Sequence, residues 1–210
     1  MKLDDLAKQI LQNSSGTKRY IVAIAGPPAS GKTTLAQKLC DYINSKVSGS
    51  PCVILAMDGF HLDNKALDIM GIRHIKGAPQ TFDAKTFVKF IDRIRNDSDT
   101  VSIPSFDRKL DAVVLGDESI DPDHGIIIVE GNYLLLDESP WDQLTIMFDL
   151  SVMLTTEEKT LEKRLVSRWK KYGHSEEEAK VRAYSNDIPN AKYALTNSKR
   201  ADITVVEIVD

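Results

Sequence analysis

The chain has 210 residues, with 27 Lys and Arg against 31 Asp and Glu, a formal charge of −4, and 42% hydrophobic residues. That balance suits one folded domain with a substantial core; it argues against disorder, non-specific nucleic-acid binding and attraction to anionic membranes. Only Cys40 and Cys52 could form a disulfide, and both fall in apolar segments, which reads as buried free thiols in a reducing compartment.

Residues 1–18 open with Leu3, Leu6, Ala7, Ile10 and Leu11 at helical spacing, so an amphipathic N-terminal helix and lead-in are expected, not a signal peptide. No apolar run reaches the ~18 residues that a membrane-spanning helix needs. The expectation is a cytoplasmic protein.

Strand-length apolar runs then recur at 20–25 (YIVAIA), 52–57 (CVILAM), 126–130 (IIIVE), 144–150 (LTIMFDL) and 202–208 (DITVVEI). They are rich in Ile and Val and do not alternate, as expected for strands covered on both faces. Helical patterns separate them: Thr34–Ser45, a helix capped by Asp83, one from 156 striped by Leu161, Leu165, Trp169 and Tyr172, and one opened by SEEEA at 175–179. This alternation predicts an α/β fold with a five-stranded parallel sheet between layers of helices. Ligands of such a fold bind beyond the carboxyl ends of the strands.

The first such end carries Gly26, Pro27, Pro28, Ala29, Ser30, Gly31, Lys32, Thr33 and Thr34, between a strand and a helix. Gly-x-x-x-x-Gly-Lys-Thr in that setting is a P-loop, whose curled backbone and helix N-terminus cradle phosphates. Lys32 would reach the outer phosphates and Thr33 would place its hydroxyl on Mg²⁺. An Asn-Lys-x-Asp guanine reader is absent, since Asn64-Lys65 continues as Ala-Leu, so a GTPase is rejected.

Asp58 follows the second strand. A carboxylate there can take the proton of a hydroxyl acceptor, whereas a phosphate acceptor would need no base; a helix cap or a Mg²⁺ ligand are its other readings. Glu130 ends the third strand as a Mg²⁺ carboxylate or a turn cap. Which of the two sits nearer the metal stays open. Arg164 and Arg168 share a helix face and could form part of a lid, 156–190, neutralising charge on the transferring phosphoryl; a solvated charged face is the alternative. Residues 58–112 form an acceptor-binding insert, with His61, Arg73, Lys76, Asp107 and Arg108 as candidates for a polyol or anion. His74 lies in the same stretch.

With these motifs assembled, MDGFHLDN, KGAPQTFD, PSFDR, VEGNYLLL and RLVSRW, the chain resembles the phosphoribulokinase/uridine kinase family of P-loop kinases, which includes type I pantothenate kinase. Within it, the motifs are most similar to those of small bacterial fructose transport system kinase-like proteins. The resemblance implies a P-loop three-layer fold, ATP and Mg²⁺, Asp58 as base, Arg164 and Arg168 as lid arginines, and Asn197 and Arg200 beside the adenine. It departs from uridine kinases at Gly59-Phe60-His61, which favours a sugar or sugar-like acid over a nucleoside. Nucleoside or pantothenate kinase activity and a regulatory ATP-binding module with little turnover are the alternatives. The expected partner is a small hydroxyl substrate, and the oligomeric state is left open, a homodimer being one option.

Overall fold

The computed structural model describes residues 1–49, 51–97 and 99–206. Its elements run α1 (Leu3–Ser14), β1 (Tyr20–Ala25), α2 (Lys32–Lys46), β2 (Cys52–Ala56), α3 (Asn64–Ile69), α4 (Ala84–Asn96), β3 (Val101–Asp107), β4 (Ala112–Ile120), β5 (Ile126–Gly131), β6 (Leu150–Leu154), α5 (Glu158–Lys171), α6 (Glu176–Arg182), α7 (Ile188–Thr196) and β7 (Ile203–Val205). Five strands pair in parallel in the order β2-β5-β1-β6-β7. The α/β architecture with an all-parallel five-stranded sheet is the one the apolar runs predict.

Successive side chains of a strand point to opposite faces, so each strand feeds two cores. Tyr20, Val22 and Ile24 pack with α1 and α2 through Leu6, Ile10, Leu39 and Ile43. Ile21 and Ala23 face the other way, onto Phe87, Ile91 and Ile94 of α4 and the Tyr133–Leu144 connection. Burial on both sides explains why β1 and the first four residues of β5, 126–129, are apolar without a break. A third, smaller cluster joins Leu165 of α5, Ala183, and Ile188 of α7 to Ala29 in the turn after β1.

Two expectations need correction. The strand read at 144–150 lies at Leu150–Leu154, and Trp141–Met147 is a 3-10 segment. Asp149 explains the offset: its carboxylate accepts from the Ile21 amide at 2.8 Å and from Arg95 at 2.9 and 3.0 Å, fixing the strand's entry one residue before Leu150. The insert also contains an antiparallel hairpin, β3–β4, in stretches read as loop, and it continues to Ile120. The strand expected at 202–208 forms at Ile203–Val205; its last two residues lie outside the described residues. Both cysteines are free and buried. Among the described residues no helix is long and apolar enough to cross a membrane.

Candidate active site

β1 ends at Ala25 and the chain turns through Gly26–Gly31 into α2. Gly31 has φ +99°, a conformation that costs an L side chain energy, and this turn delivers Lys32 as the first helical residue. No side chain caps α2, so its first-turn amides are left for an anion. The Ser30 hydroxyl is buried with no partner. A ring of unspent donors around a glycine turn fits a phosphate group.

Lys32, Thr33, Asp58 and Glu130 line one cavity of about 1340 Å³. Burial pushes the Lys32 ammonium below its usual range, opposed by the charges of Glu130 and Asp58. Burial pushes the Glu130 carboxyl up, opposed first by Lys32. Each group is thus short of charge compensation, Glu130 being 5% exposed. The Thr33 hydroxyl also acts on Glu130. A hydroxyl and one or two carboxylates beside a phosphate cradle match the donors Mg²⁺ uses when phosphates complete its shell. Among the described residues no cluster of three or more His, Cys, Asp or Glu could hold a metal unaided.

Asp58 sits in a 3-10 turn, Met57–Phe60, directly after β2. Gly59 lets β3 press against this turn: a Cβ there would lie 2.1 Å from the Pro104 carbonyl oxygen. The same hairpin brings Arg108, whose Nη2 donates to Asp58 Oδ2 at 3.0 Å. His61 lies between the rings of Phe82 and Phe106, at 4.0 and 4.6 Å, and its Nδ1 pairs with the Asp58 carbonyl at 2.8 Å. Burial lowers its pKa.

The other predicted residues fare differently. Arg73 lines the cavity but is half exposed and paired with Asp68. Lys76 also lines it, yet its Nζ is engaged by Asn64 Oδ1 at 2.7 Å and by Asp111 Oδ1 and O at 2.8 and 3.0 Å. That network ties α3 to the hairpin turn. Asp107 is not among the residues lining this cavity, and its Oδ1 accepts from the Lys109 and Leu110 amides, closing the turn.

Arg164 and Arg168 reach different places. Arg164 donates to the Ser30 and Ala29 carbonyls at 3.3 and 3.5 Å, beside a second cavity of about 690 Å³ lined by Leu35, Leu154, Thr156 and Val206. Arg168 lines the larger cavity and contacts Asp187 at 3.3 Å. Asn197 and Arg200 line neither cavity. They precede β7, at the entry edge of a parallel strand; only its exit, Val206, reaches the P-loop side. Asn197 instead donates to the Tyr193 carbonyl.

Sequence reasoning missed Asn132, whose Oδ1 is buried without a partner in the larger cavity, and Asp187. Asn132 could have been found, since it follows Glu130-Gly131 at a strand's carboxyl end.

The chain is similar in sequence and fold to known proteins. Residues 21–209 match the model of the Phosphoribulokinase / Uridine kinase family. A crystal structure from Silicibacter sp. TM1040, named provisionally as a fructose transport system kinase, superposes with a TM-score of 0.91 at 36% identity, covering 98% of this chain and 99% of that one. A Schizosaccharomyces pombe protein, named provisionally as a uridine kinase, is 31% identical over 212 residues, 98% of this chain and 90% of its own. Pantothenate kinase of Vibrio vulnificus is 28% identical over 171 residues, 78% of this chain but 55% of that protein.

Proposed function

Because this chain belongs to the phosphoribulokinase/uridine kinase family, we propose that it transfers the γ-phosphoryl group of ATP to a hydroxyl of a small, sugar-like acid. One observation carries the choice of acceptor. The cavity that holds Lys32 and Asp58 is lined by seven Lys and Arg against four Asp and Glu. In a chain of net charge −4, a cationic surplus at this cavity suits an acceptor that brings its own negative group.

In this reading the α2 amides and Lys32 hold the β- and γ-phosphates. Thr33 and Glu130 would hold Mg²⁺, directly or through its waters, and the ion would neutralise phosphate charge. Asp58, oriented by Arg108, takes the proton of the acceptor hydroxyl as the new O–P bond forms and the bond to ADP breaks. The smaller cavity takes the adenine end, with Leu35, Leu154 and Val206 as its apolar wall. A nucleoside or pantothenate acceptor is a second reading, favoured by the names of relatives. Pantothenate is itself a hydroxy acid.

The test is ADP release over a panel of sugars, sugar acids, nucleosides and pantothenate. The highest kcat/KM is expected with a hydroxy acid. A nucleoside giving the highest value would replace the acceptor class, and no stimulation by any acceptor would favour a regulatory ATP-binding module.

A further inference from the structure

α6 and α7 are joined by a single π-helical turn, Ala183–Asp187. Such turns are uncommon and frequently mark functional positions. Its last residue, Asp187, is 7% exposed and faces α5. One carboxylate oxygen accepts from Trp169 Nε1 at 2.5 Å; the other accepts from Arg168 Nη2 at 3.3 Å. The neighbouring Asn186 donates to the Lys76 carbonyl at 2.9 Å, so the turn is anchored to the acceptor insert as well.

Arg168 is left half-satisfied. Its Nε is buried with no partner, and its Nη1 forms no hydrogen bond among the described residues. Its charge already acts on Lys32, which places the guanidinium within electrostatic reach of the phosphate cradle. A guanidinium offers five donors in a rigid fork, so holding one edge fixes where the other points.

We propose that Asp187 is a positioning residue: it grips Arg168 by one edge, with Trp169 as its second anchor, and aims the remaining donors at the phosphoryl group in flight. This rests on the kinase reading of the cavity. A buried carboxylate left with neither partner would be costly, so the pair holds its geometry before ligand arrives. An arginine free to wander would lose that pre-organisation and with it selectivity for the transition state over bound ADP.

The experiment needs no acceptor. Affinity is measured for Mg²⁺ and ADP alone, then with aluminium fluoride, which mimics the planar phosphoryl group. The wild-type protein should bind the fluoride complex at least about 10²-fold more tightly. Arg168→Ala and Asp187→Asn should each cut that tightening about tenfold or more, while ADP affinity stays within about threefold. The double variant should lose no more than Arg168→Ala alone. Trp169→Phe, which removes the second anchor, should cause a smaller loss in the same direction and serves if Asp187→Asn does not fold. Wild-type tightening in Arg168→Ala would overturn the phosphoryl role of Arg168 and this proposal with it. Loss in Arg168→Ala alone, or losses that multiply in the double variant, would overturn only the role of Asp187.

Discussion

In the proposed reading, the phosphate end and the acceptor end of the larger cavity are built by different means. At the phosphate end, backbone and core set the geometry: β1, β5 and α2 are buried against two apolar clusters, and the turn at Gly31 fixes Lys32. At the acceptor end, polar side chains do so: Arg108 on Asp58, Lys76 on Asn64 and Asp111, Asp187 on Arg168 and Trp169. A backbone cradle changes only if the fold changes. A side-chain network can be re-cut one residue at a time, which suits one nucleotide donor and many acceptors.

The comparison is broken most severely at Lys32. Lys32→Ala should lower turnover on the order of 10³-fold or more, because the charge facing the phosphates is lost while the surrounding backbone cradle persists. Kinetics together with an unchanged melting transition would check it. At the lid, the two arginines should separate. Arg168→Ala should reduce turnover by roughly 10²–10³-fold, the size expected for one pre-organised donor. Arg164→Ala, on the Ser30 and Ala29 carbonyls, should mainly weaken ATP binding, which calorimetry reads directly.

Gly59→Ala tests how tightly the hairpin sets Asp58. The new methyl would meet the Pro104 backbone, not a flexible side chain, so a loss of about 1–3 kcal/mol is expected. At this chain length that is roughly 2–4 °C in melting temperature per kcal/mol. An unchanged melting curve would show that the hairpin yields.

The smallest effect concerns His61. Burial holds its folded pKa below the ordinary 6.5, so the unfolded chain takes up the proton first on acidification. Its contribution is therefore intact above pH 6.5 and is lost as pH falls from there through the folded value. A ring-proton NMR titration should give a midpoint below 6.5, and His61→Phe should flatten that part of the stability curve.

The same division decides what could be read from the sequence. Strands β1, β2 and β5 and the P-loop were legible because buried parallel strands are unbroken apolar runs and the phosphate turn needs glycine at fixed spacing. The β3–β4 hairpin was not: Pro104 interrupts its first strand, and outward residues such as Leu115 are 89% exposed. The shift of β6 rested on one carboxylate, Asp149, whose partners lie 128 and 54 positions away. Asp187 had no local signal at all, since its role depends on a π-turn bringing it beneath Arg168 and Trp169. Asn197 and Arg200 rest on resemblance, which gives a neighbourhood; the direction of β7, which sets them before its entry, is not written in the local sequence.

The central claim, a hydroxyl acceptor activated by Asp58, is tested most directly by Asp58→Asn. Asparagine keeps the shape and removes the basic oxygen. With the best acceptor from the panel, turnover should fall roughly 10²–10⁴-fold, the range of a general base, with ATP affinity within a few-fold of wild type. Raising Mg²⁺ should restore none of it. Full activity, or recovery across the Mg²⁺ titration, would contradict the account and make Asp58 a structural or metal-binding carboxylate.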